Sequence, residues 1–346
     1  MSSGYLQTRP NPGLLSIVAP CYNEEQSLPL LAAEITRFIN ASPYPCEVIL
    51  VNDGSTDRTI DFLVGWSSRD RRIKVLSFSR NFGHQVAATA GVDHATGDAV
   101  VLIDADLQDP LDVIHQMVAE YRNGYDVVCG QRSIRKGENF FKRATAWFFY
   151  RVMRSFFLES LPADVGDFRL MSRQCVETLR SMRELHRFLR GMVAWVGYPQ
   201  ICVRYERQPR VAGQTKYPLS KMLRLAWNAA VSFSPLPLRM SFYAGALMAL
   251  LAIEEAIRAL VAYHSGSTVP GWTSLMIVLC VSNAALLITV GILGEYVGRI
   301  FEESKGRPLY IVAGSWNFTP GNASGSATPG PSAAAREETS TTPQAR

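Results

Sequence analysis

A short apolar run, Ala99 to Ile103, is followed by the segment Asp104-Ala105-Asp106-Leu107-Gln108-Asp109, in which one residue separates Asp104 from Asp106. Such a run bounded by polar residues is typical of a central parallel strand, and open α/β sheets bind ligands at the carboxyl ends of these strands. If the extended geometry continued, Asp104, Asp106 and Gln108 would face one side. Their oxygen atoms suit Mg²⁺ or Mn²⁺, which proteins usually hold together with substrate phosphates. The spacing predicts a metal–phosphate site.

A helix start is the competing interpretation of the same segment. Asp109 and Pro110 have the residue types of an N-cap and a first helical position. This interpretation accounts for Asp109 but leaves Asp104 and Asp106 unexplained.

The surrounding elements alternate between apolar strands and segments of helical periodicity. The predicted strands are Leu14 to Ala19, Glu47 to Val51, Ile73 to Phe78, Ala99 to Ile103 and Asp126 to Gly130. This alternation predicts a doubly wound α/β domain with a mainly parallel sheet. Because polar clusters follow the strands at their carboxyl ends, we expect them to converge at one edge of the sheet.

Several classes of function are disfavoured. The chain has neither G-x-G-x-x-G after its first strand nor a G-x-x-x-x-G-K-[ST] loop, so a dinucleotide-dependent dehydrogenase and a P-loop enzyme are not expected. The net charge of +5 is not gathered into one basic run, which disfavours nucleic acid as a partner. Six scattered cysteines indicate reduced thiols in a cytosolic setting. The class of function that remains is one in which the protein holds a nucleotide diphosphate through a metal ion.

Three motifs in order resemble the inverting GT-A glycosyltransferases of family 2. They are Pro20-x-Tyr22-Asn23-Glu24, Asn52-Asp53-Gly54-Ser55-x-Asp57 and Asp104-Ala105-Asp106-Leu107-Gln108. More narrowly, the chain resembles polyprenyl-phosphate glycosyltransferases, which include dolichol-phosphate mannose synthase and bacterial polyprenyl-phosphate glucosyltransferases. The segments 79–84 and 166–171 favour the bacterial group, and the likeness covers about residues 14 to 312. The fold this implies is a Rossmann-like GT-A catalytic domain.

The resemblance also implies roles for individual residues. It assigns the nucleotide sugar to Pro20, Tyr22, Asn23, Glu24, Asp53 and Asp104, with Tyr22, Glu24 and Asp53 at the base and ribose. It assigns the divalent cation to Asp104, Asp106 and Gln108. It assigns phosphates of the donor or of the lipid to Arg132, Arg210 and Lys216. Asp106 and Asp167 are the implied catalytic residues.

The role of Asp167 stays open at the level of sequence. The family's corresponding acid is proposed as the catalytic base, yet a phosphate monoester has a second pKa of about 6 and is mostly ionised at neutral pH. Asp167 could instead hold the acceptor or a basic side chain such as Arg169. Arg210 to Tyr217 is likewise either a loop that closes over phosphate or a solvated basic loop.

The second half of the chain carries membrane signals. Aromatic and basic residues interleave over 139–157, which indicates an interfacial helix or a core helix with a solvated basic face. Thr273 to Gly294 is uncharged and long enough to span a bilayer. Met240 to Tyr263 contains Glu254, Glu255 and Arg258, so it is either a second span with a paired charged side or a helix on the surface. Basic residues flank the outer ends of these two apolar segments, and this charge distribution predicts that both termini lie in the cytoplasm.

These signals divide the chain into six parts. They are an N-terminal arm (1–13), a catalytic domain (14–217), an amphipathic interface segment (218–238), a two-helix transmembrane hairpin (239–300), a cytoplasmic return segment (301–313) and a disordered tail (314–346). The tail is poor in large apolar residues and cannot bury a core.

The functional hypothesis is inverting transfer of a hexose from a nucleotide diphosphate to polyprenyl phosphate at the cytoplasmic face of the inner membrane. Similarity favours UDP-glucose as donor. Two spans form no channel, so a separate flippase is predicted, and charges in the first span predict a homo-oligomer. The rivals are a processive polysaccharide synthase, whose Q-x-x-R-W motif is absent, and a non-catalytic membrane scaffold that binds nucleotide sugar.

Overall fold

The computed structural model describes residues 6–132, 165–185, 187–206, 236–266 and 271–318. Its centre is an eight-stranded sheet in the order β7-β5-β6-β4-β1-β2-β3-β8. The strands are β1 Leu15–Cys21, β2 Cys46–Asn52, β3 Ile73–Phe78, β4 Ala99–Leu102, β5 Val127–Arg132, β6 Val165–Ser172, β7 Gln200–Tyr205 and β8 Val312–Trp316. The predicted α/β class is confirmed.

The sheet is mixed, with a parallel centre. Strands β4, β1, β2 and β3 are parallel neighbours, and β5 is parallel to β7. Strand β6 runs antiparallel between β4 and β5, and β8 is antiparallel to β3. Because β6 is reversed, its first residues lie at the edge where the parallel strands end. The predicted polar clusters therefore gain a neighbour from β6.

Eight helices are described along the chain. They are α1 Leu28–Ala41, α2 Thr59–Ser67, α3 His84–His94, α4 Val113–Arg122, α5 Arg173–Ser181, α6 Leu189–Val196, α7 Leu236–His264 and α8 Trp272–Ser304. Successive strand residues point to opposite faces of the sheet, and residues such as Ile17 and Val18 enter different core clusters. Both faces of the sheet are therefore covered by helices. Helix α3 approaches closely at Gly91, where a Cβ atom would lie 3.3 Å from Val51 Cγ2.

Helices α7 and α8 contact each other and expose many large apolar side chains. Within the described residues, one helical stretch, Ile277–Ser304, is long and apolar enough to cross a membrane, and Ser241–Glu254 is a shorter apolar stretch. The two-span hairpin and the side on which each terminus lies therefore remain predictions. The interface helix predicted over 139–157 and most of the interface segment 218–238 lie outside the described residues.

The chain returns to the sheet after α8. Strand β8 pairs with β3 and crosses the boundary predicted at residue 314, so the start of the predicted tail was wrong. Small residues at 313–315 hid this strand from a composition argument. The ring of Tyr310 stacks on Phe78 at 5.2 Å between centroids, and its hydroxyl donates to Asp93. The return segment is part of the packing of the sheet domain.

Replacing Asn317 with alanine should lower stability by about 2 to 3 kcal/mol. The Asn317 amide donates to the carbonyls of Ser67 (2.6 Å) and Ile73 (2.8 Å), and its φ of 61° is one that alanine adopts with strain. Thermal unfolding of the full chain in detergent should show a Tm lower by about 5 to 10 °C. Asn123→Ala, which removes an exposed bond to Glu120, is the control and should change Tm little. Equal Tm values for the two variants would contradict the assigned role of Asn317.

Candidate functional site

A cavity of about 340 Å³ opens at the carboxyl-terminal edge of the parallel strands. We call it the sheet-edge pocket. It is lined by Pro20, Cys21, Tyr22, Glu24, Asp53, Asn81, Gly83, His84, Ala87, Asp104, Ala105, Asp106 and Asp167. The chain segments that follow β1, β2, β3 and β4 all contribute, and β6 contributes from its start. The structure thus brings together residues that sequence reasoning placed on separate loops.

The aspartates after β4 reach the pocket by a turn. Strand β4 ends at Leu102, and Leu107 has a φ of 56°, so the extended geometry does not continue to residue 108 and the condition for Gln108 to face the same side is not met. The backbone N–H of Gln108 donates to Asp106 Oδ1 at 3.2 Å. The Gln108 side chain is buried and absent from the pocket lining. Of the three predicted cation ligands, the turn presents Asp104 and Asp106 to the pocket.

The helix start predicted at Asp109-Pro110 was also wrong, because α4 begins at Val113. Asp109 is buried instead and accepts a hydrogen bond from the Tyr205 hydroxyl. Arg132, at the end of β5, donates to the same hydroxyl at 3.4 Å. Arg132 is not among the residues that line the pocket. This contact does not test its predicted role in binding phosphate, which stays a prediction. Arg210 and Lys216 lie outside the described residues.

The loop after β1 divides its residues between the pocket and the neighbouring loop. Pro20, Tyr22 and Glu24 line the pocket, and Tyr22 is 46% exposed. Asn23 has a φ of 54°, and its Oδ1 accepts from the backbone N–H of Thr56 at 2.8 Å. Asn23 therefore joins the loop after β1 to the loop after β2 and is absent from the pocket lining, and its role in binding nucleotide sugar stays a prediction.

Asp53 is buried and both of its carboxylate oxygens accept backbone hydrogen bonds. Oδ1 accepts from Phe82 at 2.7 Å and Oδ2 from Gly83 at 2.9 Å. Burial raises the pKa of Asp53, and these hydrogen bonds oppose the shift in part. Asp53 thus fixes the loop after β3, which leads into α3 and places His84 in the pocket.

Asp167 is buried among donors that the sequence analysis did not assign to it. Arg190 Nε lies 2.7 Å from Oδ1, and Arg190 Nη2 lies 3.1 Å from Oδ2. Gln85 Nε2 donates to Oδ2 at 3.2 Å, and His84 Nε2 lies 3.4 Å from it. Burial alone would raise the pKa of Asp167, but His84 and Arg190 lower it far below its usual range.

Arg169, named from sequence as a basic partner for Asp167, instead donates to the carbonyl of Gly166 at 3.0 Å. The observed partner, Arg190, lies 23 residues from Asp167 along the chain. No local spacing rule connects these positions. The segment 79–84 was noted for family likeness, and that motif was the one available signal for His84.

The charges of the sheet-edge pocket fit a divalent cation. Its lining includes five carboxyl groups and one histidine: Glu24, Asp53, Asp104, Asp106, Asp167 and His84. Burial raises the pKa of Asp104 to about 6, with repulsion from Asp109, Asp167 and Asp106 adding to it and His84 opposing it. In the described part of the chain, no three His, Cys, Asp or Glu side chains group as a metal site. Asp104 and Asp106 could hold Mg²⁺ or Mn²⁺ only if phosphates of a ligand supplied further oxygen atoms.

The raised pKa of Asp104 gives a stability prediction. Because the folded state binds this proton more tightly than the unfolded state, stability should fall as pH rises from about 4 to about 6, by up to about 3 kcal/mol. Thermal unfolding in EDTA should show this fall, and Asp104→Asn should reduce it. Mn²⁺ should raise Tm more at pH 7.5 than at pH 5, because ionised Asp104 binds it better. The same pH slope in wild type and Asp104→Asn would contradict the assignment.

The comparisons with known proteins agree with one another. The Glycosyl transferase family 2 model matches residues 16–180. The chain is 44% identical over 304 residues to the uncharacterized glycosyltransferase YkcC of Bacillus subtilis (strain 168), covering 88% of this chain and 94% of that protein. It is 39% identical over 299 residues to the Bactoprenol glucosyl transferase of Shigella phage SfV, covering 86% of this chain and 97% of that protein.

Among solved structures, the mannosyltransferase PcManGT from Pyrobaculum calidifontis matches 82% of this chain and 90% of its own, at 17% identity and a TM-score of 0.41. The sequence relatives are much more similar than this, and they match over nearly their whole length. Together with the family model, they show that this chain belongs to glycosyltransferase family 2.

Proposed function

We propose that the chain transfers glucose from UDP-glucose to a polyprenyl phosphate, with inversion at the anomeric carbon. The observation that carries the proposal is the pair Asp104 and Asp106, presented by the turn after β4 in an acid-lined pocket of about 340 Å³. The glucosyl and polyprenyl parts are supported by the 39% identical relative whose name is Bactoprenol glucosyl transferase.

The residues of the pocket divide the work of binding the donor. Tyr22, half exposed at the pocket, offers a ring on which a base can stack, and Glu24 beside it offers acceptors for ribose hydroxyls. Asp53 holds the loop that completes this wall. Asp104 and Asp106 would hold Mg²⁺ or Mn²⁺, which supplies a Lewis acid for the charge on the leaving nucleotide. The protein's remaining task is to align the acceptor phosphate with the anomeric carbon.

The acceptor phosphate needs no strong base. Its second pKa is about 6, so it is mostly ionised at neutral pH and can attack directly. Attack from the face opposite the nucleotide gives inversion. Arg132, Arg210 and Lys216 are the proposed cations for donor and lipid phosphates, and the helix pair α7 and α8 is the proposed anchor at the inner face of the membrane.

The test is a transfer assay with the detergent-solubilised full chain. The protein is incubated with Mg²⁺ or Mn²⁺, undecaprenyl phosphate and a panel of radiolabelled nucleotide sugars. We expect a lipid-linked product with UDP-glucose and none when undecaprenol replaces its phosphate. No labelled lipid with any donor would overturn the enzyme assignment, and label from another donor alone would correct the sugar.

The product also separates this proposal from a processive synthase. A single transfer gives one sugar for each lipid, whereas a processive enzyme gives products of increasing length. Mass spectrometry of the labelled lipid should show a single hexose. The proposed homo-oligomer is tested separately by cross-linking in membranes, and the proposed flippase by whether product made on one leaflet reaches the other without further protein.

A further inference from the structure

The carboxylate of Asp167 is engaged by the protein through both of its oxygens. A carboxylate offers about four acceptor sites on its two oxygens. Arg190 takes a site on each oxygen, and Gln85 and His84 both face Oδ2. A general base must reach the proton that it removes with an acceptor that is available to it. Three of the four contacts fall on Oδ2, so the one site left for a proton is on Oδ1, the oxygen that already accepts from Arg190 Nε.

Arg190 is held in place independently of Asp167. It lies in the first turn of α6, where the backbone N–H of Leu189 donates to Gln85 Oε1 at 3.0 Å. Gln85 thus bridges the starts of α3 and α6 while its amide also donates to Asp167. Arg187, two residues before Leu189, is buried and donates to Thr89 of α3 and to the Met182 carbonyl. The start of α6 is therefore fixed to α3 through Arg187 and Leu189.

The geometry points to Arg190 as a positioning residue for the transfer reaction. It fixes the Asp167 carboxylate, which in turn holds His84 at the sheet-edge pocket, 3.7 Å from Asp104. Asp167 then holds the side chains of Arg190 and His84 in place and does not act as a proton acceptor. The inference rests on the proposed function and deepens it, because it assigns the role of Asp167 within that site.

A double-mutant cycle distinguishes an anchor from a base. Arg190→Ala should lower kcat by about 10²-fold with the donor KM changed little, since misplacement of a group by about 1 Å has this effect. Asp167→Ala should be similar, and the double variant should be no worse than about threefold below either single one, because residues that act as a unit are not additive. If Asp167 is a base, its loss should exceed that of Arg190 by tenfold or more and the double variant should match Asp167→Ala, which would overturn the inference.

Rescue experiments separate positioning from folding. Arg190→Lys should keep part of kcat, because lysine supplies the charge without the two-point geometry. Added guanidinium should restore transfer to Arg190→Ala and not to Asp167→Ala. Arg72→Ala is the matched control, since Arg72 makes the same two-point pair with Asp70 at the surface between α2 and β3. It should leave kcat unchanged.

Wild type that transfers no sugar refutes the proposed function. Active wild type with Arg190→Ala within about threefold of it refutes the positioning role. If Arg190→Ala fails to fold by circular dichroism, Arg190→Lys decides: kcat equal to wild type refutes the role, and a loss of about tenfold with unchanged donor KM supports it.

Discussion

Replacing Asp106 with alanine should reduce sugar transfer by about 10²- to 10³-fold, with little change in stability. Asp106 is at the pocket surface on the turn after β4, so its replacement removes a proposed cation ligand without opening the core. Loss of one group that stabilises developing charge typically has an effect of this size. The measurement is the initial rate of labelled lipid formation, with the thermal transition recorded for each variant.

Asp112→Ala is the matched control for Asp106→Ala. Asp112 lies six residues further along, its side chain is 74% exposed, and it makes no side-chain cap for α4. Its replacement should leave the transfer rate within about twofold of wild type. Saturating Mn²⁺ should raise the rate of Asp106→Ala in part, because Asp104 remains as a ligand. Full transfer by Asp106→Ala would contradict the proposed role of Asp106 as a cation ligand.

The same variant separates the enzyme from a non-catalytic scaffold. A scaffold that binds nucleotide sugar and assembles a transporter would keep its cellular role after Asp106→Ala. An enzyme would lose that role together with the transfer rate. Cells that depend on the protein, complemented with Asp106→Ala or with Asp112→Ala, therefore give a comparison that does not require the donor to be known.

The strands of the first half were predictable because each is a short apolar run between polar turns. The bounds of β3 were met, and those of β1, β2, β4 and β5 shifted by one or two residues. Strand β6 was not placed in the sheet from sequence, because its polar residues Asp167 and Arg169 break the apolar pattern of a buried strand. Both are accommodated through partners that only the folded chain supplies, Arg190 and the Gly166 carbonyl.

The site was predictable where one loop carries it and not where two distant segments meet. Asp104 and Asp106 reach the pocket as expected, although by a turn and not an extended strand. The engagement of Asp53 by Phe82 and Gly83 spans about thirty residues of sequence, and no periodicity encodes it. The pairing of Asp167 with Arg190 is of the same kind. In both cases a residue expected to touch ligand is held by the protein.

Gly54 is where this loop-to-loop contact can be tested most severely. Gly54 has a φ of 63°, and a Cβ atom there would lie 2.6 Å from the backbone nitrogen of Asn81 and also too close to the Arg80 carbonyl carbon. These atoms are backbone and cannot rotate away. Gly54→Ala should therefore cost about 2 to 5 kcal/mol, from left-handed strain together with overpacking. It should also weaken nucleotide binding, because separating the loops releases Asp53 from Phe82 and Gly83.

Gly65→Ala is the matched control for Gly54→Ala. Gly65 lies within α2 with open space around the position of a Cβ atom, so alanine should stabilise the helix by about 0.5 to 1 kcal/mol. The two variants add the same methyl group and should shift Tm in opposite directions. Titration calorimetry with UDP should show weaker binding by Gly54→Ala alone. If Gly54→Ala unfolds at the wild-type temperature and binds UDP as wild type does, the loops after β2 and β3 are not held together by this close approach, and Asp53 is free to serve the nucleotide directly.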